Sequence, residues 1–269
     1  MDVMENLRTY GTSPFSVAVV HGGPGAAGEM APVGRRLGLK RGVLEPLQTA
    51  RTLDGQVEEL KQVLEKAAVF PVTVIGFSWG AWLCFILAAR YPVPIRKLIL
   101  VSSGPFDESF AAGISTTRFS RLSAHQRERA GALFEQFATP ESEDKNRVFA
   151  SIGKLFAKTD AYDPVVDKPE PIEYRADIFE HVWPEAAEMR RSGKLLDLAS
   201  RITCPVVAIH GDYDPHPGEG VRSPLTGRLE RFRFDLLERC GHTPWIERHA
   251  RERFFRILES ELDTDAERS

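Results

Sequence analysis

The chain has 269 residues, room for one large domain or for a core carrying an insertion. Its 35 Lys plus Arg against 38 Asp plus Glu leave a net charge of -3, which excludes a sequence-wide positive field for nucleic acid or anionic lipid and points to small-molecule or short-peptide partners. Cys84, Cys204 and Cys240 are too few for a disulfide framework and suit a reducing compartment as small buried hydrophobes.

Residues 1–6 have neither a basic n-region nor an apolar h-region, and no run approaches the ~18 apolar residues of a membrane span. A soluble, cytoplasmic protein is expected, with no membrane partner. Apolar, β-branched runs at 15–20, 42–44, 72–75, 95–101, 205–209 and 232–237 predict strands. Helix-period segments at 53–68, 79–90 and 246–262 alternate with them, so the ends of the chain predict an α/β fold: a mostly parallel sheet covered by helices. The segment 81–89 is apolar nearly all round, as in a helix packed centrally on a sheet.

Residues 104–195 break this alternation. They carry helical stretches such as 123–137, a proline-punctuated joint at 163–171 and no convincing strand. The expected organisation is a core of residues 1–103 and 196–269 with a helical cap inserted at 104–195. Within the cap, Pro184 is expected to open a helix and Gly193 to close it. The polar tail 263–269 is expected to fray.

The sharpest signal is Gly76-Phe77-Ser78-Trp79-Gly80, a G-x-S-x-G turn between a predicted strand and a predicted helix. Such a turn holds its serine in strained backbone angles, and the flanking glycines leave room for the crowded chain. Ser78 is therefore the candidate nucleophile. The free N–H groups of the helix behind it favour developing negative charge, with Trp79 N–H as one oxyanion donor.

A serine hydroxyl needs a base. His242, in Arg239-Cys240-Gly241-His242, lies just past the last predicted strand, whose C-terminal end shares an edge with Ser78. His216, in Asp214-Pro215-His216-Pro217, is its rival. His21 and His210 read as structural imidazoles, and His125, His181 and His249 as partly exposed helical ones. Asp214 is preferred to Asp212 as the carboxylate that orients the base, because it lies farther past its strand, with Asp212 as a turn-stabilising residue. Cys240 and His242 alone do not make a metal site, so neither metal nor cofactor is expected.

The stretch His21-Gly22-Gly23-Pro24-Gly25-Ala26-Ala27-Gly28 admits two readings. Gly23, Gly25 and Gly28 fit the G-x-G-x-x-G of a Rossmann-type dinucleotide turn, with Glu45 placed to meet a ribose. Pro32 and Gly34, however, should leave the following helix short or broken.

From residue 15 onward the chain resembles an α/β-hydrolase, with the order Ser78, Asp214, His242 and an insertion after the strand at 95–101. "HGGPG" and "SWG" resemble the proline iminopeptidase-like branch, and that resemblance implies that Gly23 N–H joins Trp79 N–H in the oxyanion hole. It further implies a serine hydrolase, esterase or aminopeptidase, acting through an acyl-enzyme. The chain departs from the branch at Glu45-Pro46-Leu47-Gln48-Thr49-Ala50, where an Asp-Gln-Arg-Gly type turn is usual. Few residues precede position 15, so a shortened sheet of about six strands is expected. An iminopeptidase also pairs a substrate ammonium with carboxylates; Glu170, Glu173, Asp177, Glu180, Glu185 and Glu188 are available, but charges at such spacing are more often a solvated helix face, and no amine-binding residue is assigned. Tyr174, Phe179 and Trp183 either line an acyl pocket or pack on the core. The alternatives to a hydrolase are a non-catalytic, receptor-like member of the fold and the dinucleotide binder. Oligomeric state is not legible.

Overall fold

The computed structural model describes residues 6–139, 144–165 and 171–263. In chain order its elements are β1 (Leu7–Tyr10), β2 (Phe15–Val20), β3 (Ala26–Ala27), α1 (Ala31–Gly38), β4 (Gly42–Pro46), α2 (Leu53–Ala67), β5 (Val72–Phe77), α3 (Trp79–Arg90) and β6 (Ile95–Val101). There follow α4 (Ala112–Ser120), α5 (Ala124–Ala138), α6 (Lys145–Asp160), β7 (Glu173–Tyr174), α7 (Ala176–Arg191) and α8 (Lys194–Asp197). The chain then returns through β8 (Val206–Gly211), α9 (Glu219–Leu225), β9 (Phe232–Leu237) and α10 (Arg251–Asp263).

The main sheet is seven-stranded, in the order β1-β4-β2-β5-β6-β8-β9. All neighbours run parallel except β1 and β4. Residues of β5 are buried throughout, which is why its sequence reads as an apolar run rather than an alternation. On one face Val57, Leu60 and Leu64 of α2 and most of α3 pack against Ala18, Val74 and Leu98. On the other, Val33 and Leu37 of α1 and Phe254 and Leu258 of α10 cover Val19, Ile75 and Ile99. With both faces covered, α3 is apolar all round, as its sequence requires.

The structure differs from the sequence reading in several places. The sheet gains β1, whose polar, four-residue sequence carries no strand signal and which is held by antiparallel pairing with β4. Residues 104–195 do contain a strand, since β7 pairs with β3 of the glycine stretch, Ala26 opposite Tyr174. Pro184 lies inside α7 rather than at its start, while Gly193, at φ 78°, follows the helix end as expected. The helix after the glycine stretch is short but unbroken: Pro32 sits in its first turn, where no N–H is needed, and Gly34 makes room for the Tyr10 ring. The helix expected from 246 begins at Arg251, preceded by a single 3-10 turn at Pro244–Ile246. Most of the 163–171 joint, Glu170 and the tail beyond 263 lie outside the described residues.

A Cβ on Gly80 would stand 2.4 Å from the carbonyl oxygen of His21 and 2.5 Å from that of Val20. Backbone atoms of the sheet cannot swing aside, so Gly80→Ala is expected to lower the unfolding free energy in urea by about 1–3 kcal/mol, the usual range for forced overpacking.

Candidate active site

Ser78 joins β5 to α3 at φ 52° and ψ -114°, a conformation that L-residues rarely adopt. The turn is held because Ser78 N–H donates to Val101 C=O on β6 at 2.9 Å. It is passable because a Cβ on Gly76 would meet Gly80 C=O at 2.3 Å. The C-terminal ends of β5, β8 and β9 share one edge of the sheet, and their loops carry Ser78, Asp214 and His242.

The three side chains meet. His242 Nδ1 donates to Asp214 Oδ2 at 2.7 Å, and Ser78 Oγ lies 3.1 Å from His242 Nε2. Asp214 is buried, and its other oxygen, Oδ1, accepts from both the Nδ1 and the backbone N–H of His216 at 2.9 Å. His216 therefore does not replace His242 beside the serine; it shares the carboxylate. His210 closes the group, with Nε2 donating to His216 C=O at 2.8 Å and standing 3.4 Å from Asp214 Oδ2.

Electrostatics follow from this packing. Burial alone would raise the Asp214 carboxyl, but the His242, His216 and His210 imidazoles outweigh it and hold it well below the usual carboxylate range. Burial disfavours a charged His242, yet the Asp214 charge and hydrogen bond prevail and raise its pKa. Burial dominates at His216 and pulls it down to about 4, so it stays neutral where His242 begins to charge. Asp214, His216 and His242 are also the one cluster among the described residues whose donor atoms could hold a metal ion. Here both Nδ1 atoms are committed to hydrogen bonds with the carboxylate.

The His242 loop is tied down from two sides. Its N–H donates to Asp160 C=O at the end of α6 at 2.7 Å, and the Phe77 ring packs 4.9 Å from the imidazole. The fully buried Glu247 carboxylate accepts from Gly241 N–H at 2.9 Å and from the N–H groups of Tyr162 and Asp163 at 2.8 Å each. Asp212 accepts from Cys240 N–H at 3.1 Å, the turn-stabilising position expected of it. The remaining histidines sit apart. His21 is buried between Gly22 C=O and Gln48 N–H, His181 rests on Asp177 C=O, and His249 faces Asp163. His125 lies on α5.

Gly23 takes φ 43° in the glycine stretch, and Trp79 opens α3, where first-turn N–H groups have no intrahelical partner. The Trp79 indole is anchored by Gln56 Oε1 at 3.1 Å. Glu45, the candidate ribose ligand, is instead buried and accepts from the Tyr10 hydroxyl at 2.5 Å.

Sequence reasoning passed over Glu29. Its Oε2 lies 2.8 Å from where a Gly22 Cβ would be, and its carboxylate accepts from Gly22 N–H within electrostatic reach of His242 and Tyr174. Burial pushes it up to about 7, only partly offset by His242 and the Gly22 bond. One acidic side chain just after a run of glycine and alanine was the available signal. The acids that were singled out are otherwise engaged. Glu185 accepts from Leu53 N–H, and Asp177, Glu180 and Glu188 pair with Arg175, Lys145 and Arg191. Glu173, on β7, faces Arg175 at 3.9 Å. Trp183 stacks on Trp82 at 6.0 Å and on Phe179 at 6.1 Å, so these aromatics pack against α3. Tyr174 lies edge-on to Phe149.

A serine turn on a doubly covered parallel sheet, with an imidazole and a buried acid from later strand ends, defines a class. The alpha/beta hydrolase fold model matches residues 16–248, and the chain belongs to that family. It is similar to a pimeloyl-[acyl-carrier protein] methyl ester esterase of Nitrosomonas europaea, 24% identical over 196 residues that make up 71% of each protein. Among solved structures it resembles VinJ, with TM-score 0.68 and 18% identity over 96% of this chain and 94% of that one. It also resembles a proline iminopeptidase of Mycobacterium smegmatis, with TM-score 0.63 and 20% identity over 96% and 94%. Among the described residues no helix is long and apolar enough to cross a membrane.

Glu247→Gln would set an amide NH2 against backbone donors that now share a carboxylate. The variant is expected to lose about 1–3 kcal/mol of stability in urea denaturation, the cost of stranding a buried donor.

Proposed function

We propose that the chain is a serine hydrolase that cleaves a small ester or amide through an acyl-enzyme, with Ser78 as nucleophile. The observation that carries this reading is the unbroken contact path from Asp214 Oδ2 through His242 to Ser78 Oγ, 2.7 Å and then 3.1 Å. His242 takes the serine proton during attack and returns it to the leaving group, while Asp214 fixes the imidazole tautomer and stabilises its charged form. The N–H groups of Gly23 and Trp79 receive the oxyanion. Water then releases the acyl group. The helices of residues 104–195 act as a cap, and a soluble, cytoplasmic setting fits a chain of this composition. The esterase name of the Nitrosomonas europaea relative favours an ester substrate, at an identity that leaves the acyl group open.

An amine-bearing acyl group is the narrower form of this reading. The observation in its favour is Glu29, whose carboxyl burial pushes up to about 7 against only His242 and the Gly22 N–H, whereas the acids of β7 and α7 are already paired or hydrogen-bonded. A substrate ammonium beside Glu29 would stabilise its charged form.

The decisive test of the main reading is labelling by a fluorophosphonate probe. Ser78 should carry the adduct in the folded protein, and Ser78→Ala should carry none; an unlabelled wild type refutes the enzyme assignment. Asp214→Asn should lower kcat by about 10⁴-fold on any good substrate, the cost of presenting the wrong tautomer. Asp212→Asn should lose far less, and equal losses would reverse the choice of acid.

Activity requires neutral His242, whose pKa is raised above 6.5. kcat/KM is therefore expected to fall as pH drops, with an acid limb centred above 6.5 in stopped-flow assays. For the narrower form, p-nitrophenyl esters are compared with free-amine and N-acetylated alanine anilides. Preference for the free amine, reduced in Glu29→Gln, supports it; preference for esters in both proteins removes it.

A further inference from the structure

We propose that His216 is a positioning residue for the reaction at Ser78, a second imidazole that fixes the Asp214 carboxylate so that its remaining oxygen is aimed at His242. The inference rests on the serine hydrolase reading and adds a residue to it.

A carboxylate on a loop beyond a strand end has a free χ2 rotation and two equivalent oxygens, and an orienting acid must suppress both freedoms. In this chain the suppression is local in sequence. The Asp214 Oδ1 accepts two hydrogen bonds from the residue two positions later, one from its backbone N–H and one from its imidazole Nδ1, each 2.9 Å. Only Oδ2 is left for His242, and it makes the shorter contact, 2.7 Å.

His216 is itself held. It lies between Pro215 and Pro217, whose rings fix their own φ and restrict the residues before them, Asp214 and His216, to extended conformations. Its carbonyl accepts from His210 Nε2 at 2.8 Å. Its ring lies 4.5 Å from that of His242 with 33° between the planes, so it also borders the imidazole that must stay in place.

The chemistry adds a requirement that His216 meets. A carboxylate can only accept, so the Nδ1 of His216 carries a proton in the neutral tautomer and its Nε2 is an acceptor. A neutral donor orients the acid without competing for its charge when His242 becomes cationic. A lysine or arginine in the same place would compete.

The test uses the full-length protein and three variants: His216→Ala, His216→Asn and, as a reference, Asp214→Asn. Asparagine can place its amide NH2 close to where the imidazole Nδ1–H stands, so it restores the donor without the ring. His216→Ala is expected to lower both the fluorophosphonate labelling rate of Ser78 and kcat on p-nitrophenyl acetate by about tenfold or more, as for loss of one hydrogen bond to a charged group. KM should be little changed. His216→Asn should recover most of the loss. A wild type that labels, with His216→Ala within twofold of it, overturns the proposal while leaving the hydrolase reading intact.

A proton spectrum reads the same contact without turnover. The downfield N–H resonance of the His242 to Asp214 hydrogen bond should be present in wild type and His216→Asn, absent in Asp214→Asn, and lost or moved upfield in His216→Ala. An unmoved resonance in a His216→Ala protein that unfolds at the wild-type temperature overturns the positioning role whether or not Ser78 reacts. A resonance lost in His216→Ala and restored in His216→Asn supports the role even if the wild type fails to label, in which case it is the hydrolase reading that fails.

Discussion

The arrangement of the site depends on keeping one negative charge, that of Asp214, inside the protein. A carboxylate with no water around it persists as an anion only if donors surround it. Asp214 has three imidazoles within 3.4 Å, contributed by the end of β8, the loop after it and the loop after β9. Those three sources are the C-terminal ends of two neighbouring parallel strands. Parallel order is thus a condition of the charge, because antiparallel neighbours would bring only alternate loops to that edge.

The same economy governs the loops. A histidine at the end of a long return from the sheet would be mobile unless its backbone were tied to something rigid. Glu247 and the Asp160 carbonyl bind the His242 loop to residues 160–163, so the chain leaving α6 and the chain leaving β9 hold each other. Asp160 is fixed in turn by the Arg118 guanidinium, whose Nε lies 2.9 Å and 3.0 Å from its two oxygens. Helices α4 and α6 therefore help to position the imidazole. Changes at the end of α6 reach His242 through the Asp160 carbonyl and through the Glu247 carboxylate.

How much of this was legible in the sequence varies with the range of the interaction. The central strands β2, β4, β5, β6 and β8 read directly, because burial on both faces demands apolar runs that no other element of similar length needs, while the half-exposed edge strand β9 still showed enough apolar residues to be read. Ser78 read directly too, since strand, glycines and helix all lie within a few residues of it. What could not be read were pairings made with a distant partner. β1 is a strand only because β4 offers it an edge, and β7 only because Ala26 and Ala27 do. Pro184 illustrates the converse: local preference places it at a helix start, but Ile178, Val182 and Ala186 are buried together on the core side of α7 and hold the helix through it. At the site, Asp214 and His242 were accessible through strand-end logic. Glu29 and Glu247 were not, because their importance lies in backbone N–H groups that no pattern of side chains announces.

The neutrality of His216 sets a limit on how the site can work. Its ring lies 4.5 Å from that of His242, and two unit charges at that separation would repel by about 4 kcal/mol at an effective dielectric near 20. A cationic His216 would therefore oppose the proton transfer to His242 in the proposed serine attack. It would also take the Asp214 charge for itself. Burial keeps His216 uncharged down to about pH 4, so across the range in which His242 titrates the second imidazole gives a hydrogen bond and withholds a charge. Both imidazoles are desolvated, but the Asp214 charge and hydrogen bond prevail over that cost at His242 and not at His216, so the imidazole beside the serine is the one that takes the proton.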